Sequence, residues 1–235
     1  RAVAEAEKRY GRVFQVERKG GYNPNRVRKI FESGLLKKCD SVYVRRGGFK
    51  VKQWSGKVRF DVQDVPDNLD WDMYCGPAPL RPYHRHRFGG SHRGYWDYEG
   101  GGLGDMAHHH LHGVAYQYGR DLTAPVEVIP HNPPAHPEAC GMWGWCELKY
   151  ADGFTMVLES GEWGEKYDRL PSNHHLSEGD LMKMLSAEDQ KKLDEMPDPE
   201  RLPYFPEAIR TRQQTASHAE RSHRVAIIYH LANVA

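Results

Sequence analysis

Residues 140–163, CGMWGWCELKYADGFTMVLESGEW, alternate apolar and polar side chains on both sides of an Ala-Asp-Gly tripeptide. A period of two puts one face of a strand into a core and the other outward, and Asp-Gly suits a tight turn. A β-hairpin turning at 151–153 is therefore predicted. A lone hairpin is unstable in water, so further strands and a covering layer must exist. APVEVIPH (124–131) reads as another strand, with a further short one at 165–170. Residues 124–170 are expected to supply the main antiparallel strands, with one face buried against a second subunit, because Trp143, Trp145 and Trp163 need cover.

The front of the chain follows a different grammar. RAVAEAEKRYGR (1–12) reads as the last turns of a helix closed by Gly11. VFQVER (13–18) predicts a strand, NPNRVRKIFESGLLKK (23–38) a helix and CDSVYVRRG (39–47) a second strand. Asn23 is the expected N-cap, Pro24 the first helical residue and Gly34 the stop. Strand–helix–strand at this spacing predicts an α/β crossover unit. Residues 171–206 are expected to cross the surface with an acidic helix at 186–196. A last helix opens with Ser217 and Glu220 as a capping box.

Composition excludes several partners. Lysine and arginine number 33 against 32 acidic residues in 235, so no basic face for nucleic acid is expected. The longest apolar stretch, VAIIYHLANVA (225–235), is too short to span a bilayer. Cys39, Cys75, Cys140 and Cys146 form no CxxC pair, and buried thiols are expected.

The chemistry concentrates in GGLGDMAHHHLH, residues 101–112. A helix is predicted over 105–119, with Met106, His109, Leu111, Val114 and Tyr118 near one face and Gly119 ending it. His108 and His112 are one turn apart, which suits zinc, with His84, His86 or His92 as a third ligand. The HExxH signature is absent, and four neighbouring histidines around a helix cannot all point at one ion, so no metal is expected. Asp105 and His109 also stand one turn apart. A carboxylate beside an imidazole orients it for proton transfer to a hydroxyl, while glycines 100–102 and 104 let a ligand approach the backbone. The competing reading makes Asp105 a helix-terminus charge and the histidines surface residues. Arg81, Tyr83, Arg93, Tyr95 and Trp96 in the preceding loop suit a polyol, through stacking and hydrogen bonds. Trp54, Trp71 and Trp143 are expected to pack in a core or interface. No GxGxxG follows a strand, and no P-loop or GxSxG occurs.

DWDMYCGPAPLRPYH (70–84) followed by RGYWDYEGGGLGDMAHHHLH (93–112) resembles the Gfo/Idh/MocA oxidoreductases. RYGRVFQV (9–16) and the segment 211–235 are similar in the same order. The resemblance implies an α/β chain: residues 1–38 as the end of an NAD(P)-binding Rossmann domain, and 39–235 as an α+β substrate and oligomerisation domain. That second domain carries a large, mostly antiparallel open sheet flanked by helices. It implies an NAD- or NADP-dependent dehydrogenase of a sugar or polyol, oligomeric through the sheet, whose N-terminal part precedes Arg1. His109 falls on the family's acid/base histidine, and Asp105 on the aspartate that binds substrate or orients it. Tyr74 replaces a frequent tryptophan, and His112 a frequent aspartate. The rival classes are a non-catalytic carbohydrate-binding or oligomerising module and a His-rich metal lyase or hydrolase. The sequence leaves cytoplasm and periplasm both open.

Overall fold

The computed structural model describes residues 1–16, 25–36, 40–50, 61–170 and 177–235. Asn23, Pro24, Cys39 and Trp54 lie outside these residues. In chain order the helices are α1 (Ala2–Tyr10), α2 (Arg26–Glu32), α3 (Trp71–Cys75), α4 (Gly101–Gln117), α5 (Glu178–Met184), α6 (Ala187–Glu195), α7 (Phe205–Thr211) and α8 (Ala219–Val234). The strands are β1 (Ser41–Arg45), β2 (Glu127–His131), β3 (Trp145–Lys149) and β4 (Thr155–Glu159).

The expected hairpin is β3 and β4, in register from Trp145 opposite Glu159 to Lys149 opposite Thr155. Its turn closes with the Gly153 N–H donating to the Tyr150 carbonyl at 3.0 Å, and Gly153 takes the left-handed φ of 86° that a side chain would resist. β2 adds antiparallel to β3, and β1 adds parallel to β4, giving the order β1-β4-β3-β2. The result is an α/β fold with a mostly antiparallel four-stranded sheet among the described residues.

One face of the sheet is covered by α4 and α8. Val42, Val44, Cys146, Leu148, Met156 and Leu158 from the strands meet Leu103, Leu111 and Val114 of α4 and Val225 and Ile228 of α8 in one core. On the opposite face Tyr43, Val157 and Tyr167 form a smaller cluster, joined by Trp145. The excursion expected at 171–206 does more than cross the surface. Leu181, Leu185 and Leu193 from α5 and α6 bury Val27 and Ile30 of α2 in a second core.

Four expectations need correction, the first being the short strand at 165–170, where the structure has none. Residues 13–16 are not a strand of the sheet. The Val16 N–H donates to the Ser217 carbonyl at 3.0 Å, and the Thr215 and Ser217 hydroxyls donate to the Phe14 and Val16 carbonyls. Their backbone needs are therefore met by the segment before α8, and the parallel neighbour of β1 is β4. The helix after them starts behind Asn25, whose side chain accepts from the Val27 and Arg28 N–H groups at 2.8 and 3.3 Å. Ser217 forms no capping box, because its hydroxyl is spent on Val16. Instead the buried Glu7 of α1 accepts from the Ala219 N–H at 3.2 Å and caps α8 from another element.

Candidate active site

The site is built around the first two turns of α4. This helix begins at Gly101, four residues earlier than its apolar period indicated. The glycines serve the chain's own packing rather than a ligand. A β-carbon on Gly102 would sit 2.6 Å from the Lys50 carbonyl oxygen, and one on Gly100 would strike the Asn233 amide. That amide donates to the Gly100 carbonyl at 3.1 Å, pinning the start of α4 to the end of α8. No strand followed by a glycine-rich phosphate turn stands among the described residues, and the Gly100–Gly104 run is already occupied. These residues do not cradle a dinucleotide.

Asp105 lines a groove of about 430 Å³ between α1, α4 and α8. Phe14 and Val16 form part of its wall, and His108, His223 and Tyr229 share it with Asp105. His109 is exposed and stands outside this groove. Of this pair, then, Asp105 borders the groove and His109 does not. The reason is rotation: at 3.6 residues per turn, positions 104, 108 and 112 face α8, Asp105 lies at the edge of that face, and His109 falls 40° further out. His108 and His112 are both buried with ring centroids 5.3 Å apart, and Tyr229 packs edge-on against His108. His110 meets Phe49. Among the described residues, no group of three or more His, Cys, Asp or Glu side chains is arranged to hold a metal ion.

The loop residues separate. Arg93 reaches the site: its Nε lies 3.3 Å from Asp105 Oδ1 and 3.8 Å from Glu99 Oε2. Glu99 is the group that sequence reading missed. Burial, the Asp105 charge and a hydrogen bond to Asp105 push its carboxyl upward, and Arg93 and His92 only partly oppose them. Its sequence signal was slight, a single acid among glycines.

Arg81 is committed elsewhere, donating through Nε and Nη2 to both oxygens of Asp97 at 2.9 and 3.4 Å. Tyr83 is buried against Trp71 and Cys75. Tyr95 is fully buried, with its hydroxyl 2.8 Å from His86 Nδ1 and the Arg87 guanidinium over its ring. Neither tyrosine has a free face for stacking on a sugar. Trp96 is partly exposed but borders a different cavity, of about 520 Å³, beside Leu103, Cys140 and Met142. Its indole N–H donates to the His136 carbonyl at 2.9 Å. The aromatic loop is thus a scaffold beside the site, from which Arg93 reaches Asp105. Cys75, Cys140 and Cys146 are buried free thiols, and burial pushes Cys140 and Cys146 up to about 12.

A mixed sheet backed by two long helices, with a groove of mixed apolar and polar lining at the start of one, defines an α/β domain with a candidate site at a helix terminus. The family described as the C-terminal alpha/beta domain of an oxidoreductase family, Gfo/Idh/MocA, matches residues 21–235, and the chain belongs to it. None of the curated proteins matches the chain.

Proposed function

We propose that this chain is the substrate half of an NAD(P)-dependent dehydrogenase acting on a hydroxyl of a sugar or polyol. The residues ahead of the family match would be the end of the nicotinamide-binding Rossmann domain, and the matched residues 21–235 the substrate and oligomerisation domain. Bound NAD or NADP supplies the hydride acceptor. The chain's own task is to hold the hydroxyl and move its proton. The observation that carries this reading is Asp105 at the edge of a groove, held beside Arg93, with the exposed His109 one turn further along α4. An imidazole titrates near neutral pH and suits proton transfer, and a neighbouring carboxylate orients it or the substrate.

The groove favours a second reading at one position, because His108 shares it with Asp105 and His109 does not. The test uses His108→Asn, His109→Asn, His110→Asn and His112→Asn in the enzyme that includes its nicotinamide domain. Reduction of NAD and NADP is followed with hexoses and inositols as probes. His109→Asn is expected to keep folding and lower turnover about 10²–10⁴-fold, with smaller losses in the others. A larger loss in His108→Asn transfers the role to that residue. Equal loss in all four, or inactivation by chelator, supports a metal enzyme instead. Intact binding of a probe sugar without nicotinamide reduction supports a carbohydrate-binding module.

A homo-oligomer formed through the outer sheet face belongs to the same proposal. Trp145 lies there against His131, Tyr167 and Arg169, and Trp163 also packs on His131. Trp143 is not part of that face, since it packs against the main core and its indole donates to the Phe49 carbonyl. A stable monomer at micromolar concentration in sedimentation would remove this part.

A further inference from the structure

Two carboxylates and one guanidinium meet at the start of α4. Arg93 Nε stands between Asp105 Oδ1 at 3.3 Å and Glu99 Oε2 at 3.8 Å, so one guanidinium faces both acids. Glu99 comes from the turn before the helix, where its N–H donates to the Tyr95 carbonyl at 2.9 Å. The Tyr95 anchor is itself fully buried. The Glu99 side chain then lies along the helix, with Cγ 3.7 Å from where a β-carbon on Gly104 would be. The three groups are between a quarter and a third exposed, so their interactions are only partly screened.

We propose that Glu99 is a positioning residue that holds the Asp105 carboxylate, jointly with Arg93, in one orientation at the edge of the groove. Two like charges so placed repel unless a cation lies between them, and Arg93 is that cation. Glu99 fixes the guanidinium from one side while the guanidinium holds Asp105 from the other. Asp105 then loses its freedom to rotate. The groups facing the pair are Arg93 and His92 from the preceding loop. Around the groove that Asp105 lines stand Arg1, His108 and, from α8, His223. The functional meaning of the clamp rests on the acid–base reading of Asp105 and His109, but its existence does not.

The experiment needs neither cofactor nor substrate. In the full 235-residue chain, ¹³C carboxyl NMR follows the titration of Glu99, and three-bond couplings report the Asp105 χ1 rotamer. Glu99 is expected to titrate above the ordinary carboxylate range. It should fall toward that range in Asp105→Asn and rise further in Arg93→Gln. Asp105 should hold a single rotamer in the wild type and in Glu99→Gln, whose amide oxygen can still face Arg93, and should average between rotamers in Glu99→Ala. Amide shifts in the later turns of α4 show whether each variant has kept its fold. A Glu99 titration that ignores Asp105→Asn overturns the inference, as does a single Asp105 rotamer in folded Glu99→Ala. Neither result depends on the dehydrogenase assay, so the clamp and the proposed activity fail separately.

Discussion

Gly102 shows how a single residue can be legible in the sequence for the wrong reason. A glycine run before a polar helix predicts close backbone approach, and close approach is what the structure has. The approaching partner is the Lys50 carbonyl, not a ligand. Gly102→Ala should therefore act on stability first. Backbone on the far side cannot swing away as a side chain would, and overpacking of this kind costs about 1–3 kcal/mol. Urea denaturation is the check, and a variant as stable as the wild type would show that the start of α4 can shift. The same limit applied to the loop. Arg81, Tyr83 and Tyr95 have the residue types of a polyol site, but composition does not reveal that Asp97 takes the arginine and that the core takes both tyrosines. Asp105 and His109 were legible as a pair because helix spacing is local. Which of the four histidines faces α8 was not, because that depends on where another helix packs.

Among the elements, the β3–β4 hairpin and its turn at 151–153 could be read from the sequence, since alternation and an Asp-Gly turn are contained in one short stretch. The strands are shorter than the 140–163 stretch. The partner of β1 could not, because β4 lies more than 100 positions away and nothing local to β1 names it. Elements are also fastened by groups with no sequence signature. Asp121 is fully buried and accepts from Arg28 of α2 at 2.7 Å and stands 2.6 Å from Arg221 of α8. The Tyr116 ring of α4 lies beside both guanidiniums. Asp121→Ala would leave two largely buried cations without their shared anion, and such a break typically costs about 3–5 kcal/mol. Thermal unfolding should show a large fall in midpoint. A fall comparable to that of an exposed pair such as Arg1–Glu5 would count against the staple. Glu7→Ala should cost less, about 1 kcal/mol, as expected for a lost N-cap. Its effect should appear as faster amide exchange in the first turn of α8.

For the molecule as a whole, His218 sets an acid limit. It is buried ahead of α8, and burial, reinforced by Arg221, lowers its imidazole from 6.5 to about 4. The unfolded chain therefore binds a proton that the folded chain refuses between those values. Stability is complete above about pH 6.5 and is lost as pH falls toward 4, by up to about 3 kcal/mol from this group. Denaturant titrations at pH 7 and pH 5 should show the loss, and His218→Gln should flatten it. The union of residues 14–16 with 215–217 acts on a different clock. These hydrogen bonds join positions 201 apart in sequence. Contacts of such separation are slow to form, because the loop must close before they repay its entropy. A ribosome adding about 5–20 residues per second delivers residue 217 at least ten seconds after residue 16. During that interval α1 has neither its strand-like neighbour nor the helix end that Glu7 caps. A segment made some two hundred residues earlier is thus among the last to be secured, and it is where a chaperone or protease would find the nascent chain open.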